Sequence, residues 1–179
     1  MVKQILILTL LIISASNAVS SYSQNVDVGP FAVKFMANLS TPPIINITEP
    51  IESDGFDSYG FQIKTGSFRS RVIDVVINDY ENVTDVSETR LMDSITNMIE
   101  SKSYKLDWDN KVAIGGIAGV KGEVRESDSS KSYQIAAFSP DGNDDKGNIT
   151  VFIRSSFPDD VTNSFLRDFL ITRINSTSN

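Results

Sequence analysis

The chain has 179 residues, a formal net charge of −7, no cysteine and no histidine. These counts exclude disulfide bonds, thiol nucleophiles, Cys/His zinc sites and every Ser-His-acid triad. The acidic balance and the lack of a basic run argue against binding to nucleic acid or to an anionic membrane. We therefore expect neither of these partners.

Residues 1–24, MVKQILILTLLIISASNAVSSYSQ, have the pattern of a secretory signal peptide. One cation, Lys3, precedes an apolar run at 5–13, and the small residues Ser16 and Ala18 follow, as a signal peptidase requires. The run is shorter than the ~20 residues of a membrane-spanning helix. We expect a secreted protein, extracellular or at the cell surface, with no membrane span in the mature chain. The expected organisation is a signal peptide at 1–18, a linker at 19–25, a single domain at 26–174 and a flexible tail at 175–179.

Three segments in the first half alternate apolar and polar residues with the period of a half-buried strand. They are FAVKFMA at 31–37, YGFQIK at 59–64 and RVIDVVINDY at 71–80. The connection between the first two is rich in proline and acids, and within it we expect only a short edge strand at 44–47.

Two segments instead have the helical period of 3.6 residues. The first runs from Asp85 to about Lys102, where Asp85 and Glu88 together predict a capping box. Its apolar stripe consists of Leu91, Met92, Ile95, Met98 and Ile99. The second helix is predicted from Asp159 to Ile174, with the apolar stripe Val161, Phe165, Leu166, Phe169, Leu170 and Ile174.

Four glycines stand close together in KVAIGGIAGVKGEVRES at 111–127. Their spacing matches neither the dinucleotide fingerprint nor the P-loop, and no helix follows them, so the pattern argues against a phosphate site. Gly115-Gly116 instead predicts a two-residue hairpin turn. Gly119 and Gly122 predict a bulge or a close approach of two backbones.

The order of strands and helices predicts an α+β fold without βαβ alternation. We expect a single antiparallel sheet of about six strands covered by two helices, in the order βββαβββα of an α/β/α sandwich. Ferredoxin-like packing is the alternative, but it requires a helix between the early strands, where the pattern has none.

The same order resembles the PsbP-like fold group. The resemblance rests on FAVKFMA, YGFQIK and RVIDVVINDY, then a helix, then GVKGEVRE, YQIAAFS and NITVFIRS, then a terminal helix, over Val26–Ile174. It implies an α/β/α sandwich and a noncatalytic accessory or binding domain, and it assigns a role to no particular residue.

The acidic loop PDGNDDKG offers a candidate metal site. Asp141, Asn143 and Asp145 place oxygen ligands at alternate positions, as a hard cation such as calcium prefers. Lys146 stands where an EF-hand loop needs glycine, so a solvated turn is the alternative.

Trp108, the only tryptophan, lies between Asp107 and Asp109. The three residues could form a binding platform for a sugar or a cation, or Trp108 could be a core residue at a strand edge. Paired carboxylates for glycoside hydrolysis could come from a wider set of acids. That set is Glu49, Glu52, Asp54, Asp107 and Asp109.

Five sequons for N-glycosylation occur along the chain, and they fit either a glycosylated surface protein or coincidence. Their asparagines are Asn38, Asn46, Asn82, Asn148 and Asn175.

From these features we expect a secreted, noncatalytic interaction or accessory domain, with no cofactor and with a protein or cell-surface partner. A secreted carboxylate-dependent hydrolase and a calcium-dependent surface module are the two alternatives.

Overall fold

A computed structural model describes residues 19–65, 71–100, 104–126 and 132–174. The predicted signal peptide at 1–18 and the predicted tail at 175–179 lie outside these ranges. The strands are β1 (Ser20–Val28), β2 (Phe31–Leu39), β3 (Pro43–Ser53), β4 (Phe56–Thr65), β5 (Val72–Asp85), β6 (Tyr104–Ile114), β7 (Ile117–Glu126), β8 (Ser132–Phe138), β9 (Lys146–Ser155) and β10 (Leu170–Arg173). The helices are α1 (Glu88–Glu100) and α2 (Asp159–Arg167).

The strands form two antiparallel sheets. One has seven strands in the order β3-β4-β5-β9-β8-β7-β6, and the other has three in the order β1-β2-β10. The prediction of an α+β fold with a single sheet of about six strands and two helices is therefore wrong. The resemblance to the PsbP-like group is wrong for the same reason, because the described chain is mainly β with two sheets.

The error arose at three strands that the sequence pattern had either missed or made too short. β1 takes up most of the predicted linker at 19–25, and only its end, with Val26 and Val28, is buried. β3 is an edge strand of 11 residues where a much shorter one was expected. Because an edge strand tolerates proline and solvent-facing polar residues, its sequence does not show the alternation of a half-buried strand.

The third such strand, β10, replaces the second half of the predicted terminal helix. α2 ends at Arg167, and Leu170–Arg173 then pairs with β2, with Arg173 opposite Phe31. Ile171 and Thr172 are β-branched, which favours a strand. Arg173 also donates two hydrogen bonds, of 2.8 and 2.6 Å, to the carboxylate of Asp79 on β5, and this pair links the two sheets.

Helix α1 begins three residues later than predicted, because its N-cap is Ser87 and not Asp85. The hydroxyl oxygen of Ser87 accepts a hydrogen bond from the backbone N–H of Arg90 at 3.4 Å. Asp85 is instead the last residue of β5, and its carboxylate accepts the backbone N–H of Ser87 at 2.9 Å.

The main core lies between the two sheets and includes one face of α2. Phe35 of β2 stacks on Phe61 of β4 with ring centroids 5.9 Å apart, and Phe165 of α2 lies 5.2 Å from Phe35. Phe169, just after α2, packs edge-on against Phe138 of β8. The three-stranded sheet and α2 thus cover one face of the seven-stranded sheet.

Helix α1 covers only part of the opposite face. Leu91, Ile95 and Ile99 pack on Val120 and other apolar side chains of β7, β8 and β9. The strands β3, β4 and β5 leave this face open, since Val76 near the middle of β5 is 40% exposed.

The glycine predictions for the β6–β7 hairpin are confirmed. Gly115 and Gly116 form the turn with φ of +56° and +85°. A Cβ at Gly119 would lie 2.7 Å from the carbonyl oxygen of Ala137, and one at Gly122 would lie 3.1 Å from the carbonyl oxygen of Asp107. Both positions therefore allow neighbouring chains to approach closely.

Candidate functional site

The strand register places one row of side chains across all seven strands on the face that carries α1. Residues that are paired in an antiparallel sheet lie side by side on the same face. In strand order the row is Asn46, Gln62, Asp74, Arg154, Ile135, Gly122 and Trp108. Its apolar half lies in the part of the sheet that α1 covers, and its polar half lies on the open side.

Hydrogen bonds fix the centre of the polar half. The two carboxylate oxygens of Asp74 accept from different partners: Gln62 Nε2 donates to Oδ1, whereas Arg154 donates to Oδ2 from Nε at 2.9 Å and from Nη2 at 2.5 Å. The Arg154 guanidinium also lies over the ring of Tyr133, 5.6 Å from its centroid. Gln62, Asp74 and Arg154 thus form a connected polar network, in which both carboxylate oxygens of Asp74 accept hydrogen bonds.

The open half of the sheet and the last turn of α1 enclose a depression of about 650 Å³, which we call the sheet groove. Its lining includes the polar half of the row together with Lys64, Val76 and Phe152 on the sheet, and Met98 on α1. Val76 is 40% exposed and Met98 is 49% exposed, so the groove presents apolar surface beside the network. An open apolar surface next to positioned polar groups is typical of ligand sites.

Trp108 is half-buried at the covered end of the row. It packs on the α1 cluster, which fits the interpretation as a core residue at a strand edge. Asp107 is exposed, 4.0 Å from Lys105 Nζ, and the side chain of Asp109 is outside the described part of the structure. The predicted platform of Trp108, Asp107 and Asp109 is not part of the sheet groove and stays a prediction.

The Asp141 carboxylate accepts hydrogen bonds from residues on both sides of it in the chain. Its Oδ1 accepts from Ser139 Oγ and from the backbone N–H of Ile149, both at 3.1 Å, and its Oδ2 accepts the backbone N–H of Asn148 at 2.9 Å. Asn143 pairs through its backbone with Lys146. In the four described ranges, no three acidic side chains are grouped closely enough to hold a metal ion. The calcium prediction for Asp141, Asn143 and Asp145 is untested.

The acids considered for glycoside hydrolysis lie at opposite edges of the sheet. Glu49, Glu52 and Asp54 are on or just after β3, and Asp107 and Asp109 are on β6. Six inter-strand spacings of about 4.8 Å separate these edges by roughly 29 Å, whereas a hydrolytic pair needs about 5–9.5 Å. No pair can therefore form between the two groups.

A second depression, of about 540 Å³, lies at the start of α1 and contains Glu88, Asp144 and Asp145. Lys111 Nζ pairs with Glu88 at 2.7 Å, and this hydrogen bond to Glu88 raises the pKa of Lys111. Glu88 is therefore already paired with a neighbouring cation. The larger apolar side chains that line the described part of this depression are buried or half-buried, unlike Val76 and Met98 of the sheet groove.

The predicted sequons differ in the environment of the asparagine. Asn46 and Asn82 are exposed, whereas the side-chain amide of Asn38 donates to Ser164 Oγ at 3.0 Å and that of Asn148 donates to the Tyr80 carbonyl at 3.1 Å. Asn175 is outside the described residues. Asn46 is also the first residue of the polar row, so a glycan there would stand at the mouth of the sheet groove.

A comparison of the chain with protein-family models, curated proteins and solved structures finds no match. Neither helix in the described ranges has the length and apolar character needed to cross a bilayer. The interpretation of the site therefore depends on its own geometry.

Sequence reasoning did not single out the residues of the sheet groove. The alternating pattern placed Gln62, Lys64 and Asp74 only on the polar faces of their strands. It placed Arg154 within a strand and gave it no further role. The available signal was a charged residue inside or at the end of an apolar run, Asp74 in VIDVV and Arg154 in VFIRS. Their meeting depends on the pairing of β5 with β9, which one sequence does not reveal.

Proposed function

We propose that this protein is a noncatalytic binding domain, secreted to the extracellular space or the cell surface, and that the sheet groove is its ligand site. The observation that carries the proposal is the uncovered half of the seven-stranded sheet. Beside α1 it forms a concave site of about 650 Å³ with exposed apolar side chains next to a fixed polar network. Small-molecule sites in proteins commonly have roughly 300–1,000 Å³ and this mixture of surfaces.

The chemistry of the groove favours binding over catalysis. Asp74 is the only carboxylate among its described lining residues, and Gln62 and Arg154 occupy both of its oxygens. A carboxylate held in this way is a poor general base, and glycoside hydrolysis needs two carboxyl groups. The hydrolase alternative thus has no support in the groove, and the calcium-dependent alternative has none in the self-bonded Asp141 loop.

The secreted location and the protein or cell-surface partner stay predictions. They are supported by the signal-like residues 1–18 and by the exposed sequon asparagines Asn46 and Asn82. An accessory domain of this kind would hold a ligand for a second component at the surface.

A site-directed fluorophore tests the binding function, since the chain has no cysteine of its own. Val76→Cys places an environment-sensitive label in the groove. Val83→Cys places the same label at a 62% exposed position on the same strand, away from the groove. Defined panels of lipids, oligosaccharides and short peptides are then titrated against both variants. We expect saturable emission changes from the groove label alone with at least one panel. The same response from both labels, or none from either, would contradict the proposal.

A further inference from the structure

We infer that the ligand of the sheet groove is an anionic amphiphile, a small molecule with a carboxylate or phosphate head and an apolar chain. The inference rests on the proposed function and adds the chemical class of the ligand. It follows from the charges, the hydrogen-bond donors and the apolar surface of the groove.

The described side chains of the groove are net positive in an acidic protein. Among the described lining residues, the charged ones are the two cations Lys64 and Arg154 and the anion Asp74, whereas the whole chain has a net charge of −7. Arg154 is paired with Asp74, and Lys64 has no ionic partner among the residues that the structure describes. A cation beside a concave surface raises the local concentration of an anionic ligand.

Arg154 is held in a position to receive an anion. Its Nε and Nη2 face Asp74 Oδ2, and its Cζ lies over the Tyr133 ring, 5.6 Å from the ring centroid. Nη1 makes no hydrogen bond to any described residue, so its N–H groups are available to a ligand oxygen. A guanidinium fixed by an ion pair and an aromatic ring loses little freedom when it binds a carboxylate or a phosphate.

The apolar part of the ligand has a surface of its own beside these cations. Val76 on β5 and Met98 on α1 are both exposed, and Phe152, which is paired with Val76 across β5 and β9, belongs to the core that α1 covers. From Lys64 on β4 to Tyr133 on β8 the groove crosses three inter-strand spacings, about 14 Å. The head group therefore lies toward Lys64 and Arg154, and the chain extends toward α1.

The test uses three probes with the same ten-carbon chain below their micelle concentrations: decanoate, decyl phosphate and decyltrimethylammonium. Binding is measured from the label at Val76→Cys, with Val83→Cys as the control. We expect at least one of the two anions to bind roughly ten-fold more tightly than the cation, because a charge-assisted hydrogen bond contributes a factor of this order. The ratio between decanoate and decyl phosphate identifies the preferred head group.

Substitutions that remove the charge of one of two lysines test whether the preference for anions arises in the sheet groove. Lys64→Gln should weaken binding of the preferred anion by roughly 3- to 10-fold, since Lys64 is partly exposed and solvent screens its charge. Lys34→Gln makes the same change of net charge on the exposed side of β2, in the other sheet, and should leave the affinity unchanged. Equal loss in both variants would overturn the inference.

The outcomes separate the ligand class from the function of the groove. If the cationic probe binds as tightly as the anions, or if only oligosaccharides or peptides perturb the groove label, the ligand class is wrong and the groove is still a binding site. If no probe or panel perturbs the label, the proposed function itself is wrong.

Discussion

Alanine substitutions at the two glycines of the β6–β7 turn should have clearly different effects on stability. Gly115 and Gly116 both have positive φ, so alanine at either position costs roughly 1–2 kcal/mol of backbone strain. At Gly116 a Cβ meets nothing within 4 Å, but at Gly115 it would lie 2.0 Å from the carbonyl oxygen of Phe169. The Gly115 N–H also donates to the Leu166 carbonyl at 2.9 Å, so the turn is fastened to the end of α2.

We therefore expect Gly115→Ala to cost roughly 1–3 kcal/mol more than Gly116→Ala, the usual penalty for forcing extra atoms into a packed site. Urea unfolding followed by circular dichroism measures the difference. At a denaturant slope of roughly 2 kcal/mol/M, an extra 2 kcal/mol lowers the midpoint by about 1 M. Equal midpoints for the two variants would refute the contact between the turn and Phe169, and with it the docking of the hairpin against α2.

Three further predictions concern the helix, one tyrosine and the acidic loop. Ile95→Ala, at a fully buried position of α1, should reduce the free energy of unfolding by about 2–5 kcal/mol. Met98→Ala, on the exposed side of the same helix, should reduce it by less than about 1 kcal/mol. Similar losses for the two variants in urea unfolding would mean that α1 does not pack as described. Burial, and then the charge of Asp57, raises the pKa of Tyr59 above its usual value of 10.0. As the pH rises through about 10, the Tyr59 hydroxyl therefore loses its proton in the unfolded chain before it does so in the folded protein, and stability falls. Tyr59→Phe should make that fall shallower, and an unchanged pH profile of the melting temperature would contradict the assignment. Asp141→Ala should cost about 1–3 kcal/mol, because the backbone N–H groups of Asn148 and Ile149 lose their acceptor. Millimolar calcium should not raise the melting temperature of the unmodified protein; a rise would favour the metal site instead.

Features with a strong local signal were predictable from the sequence. The Gly115-Gly116 turn follows from the need for positive φ, and the stripe of α1 follows from the 3.6-residue period of its buried face. The central strands β4 and β5 have the alternation of a sheet whose faces have different environments. In each case residues close in the chain determine the structure.

Features set by distant partners were not predictable. Leu170 and Ile174 continue the helical stripe of α2, yet pairing with β2 turns this segment into a strand because it completes the edge of the small sheet. The sheet groove has the same origin: Asp74 and Arg154 are 80 residues apart and meet only through the order of the strands. Propensity and spacing contain no information about that order.

An NMR titration of the isotope-labelled protein with decanoate tests the central claim most directly, because it locates the ligand on the sheet without altering any residue. We expect the largest changes of amide chemical shift at Gln62, Lys64, Val76 and Arg154, on the three neighbouring strands β4, β5 and β9 that form the floor of the sheet groove. Changes confined to the three-stranded sheet and α2, or scattered over both faces, would contradict the assignment of the groove as the binding site.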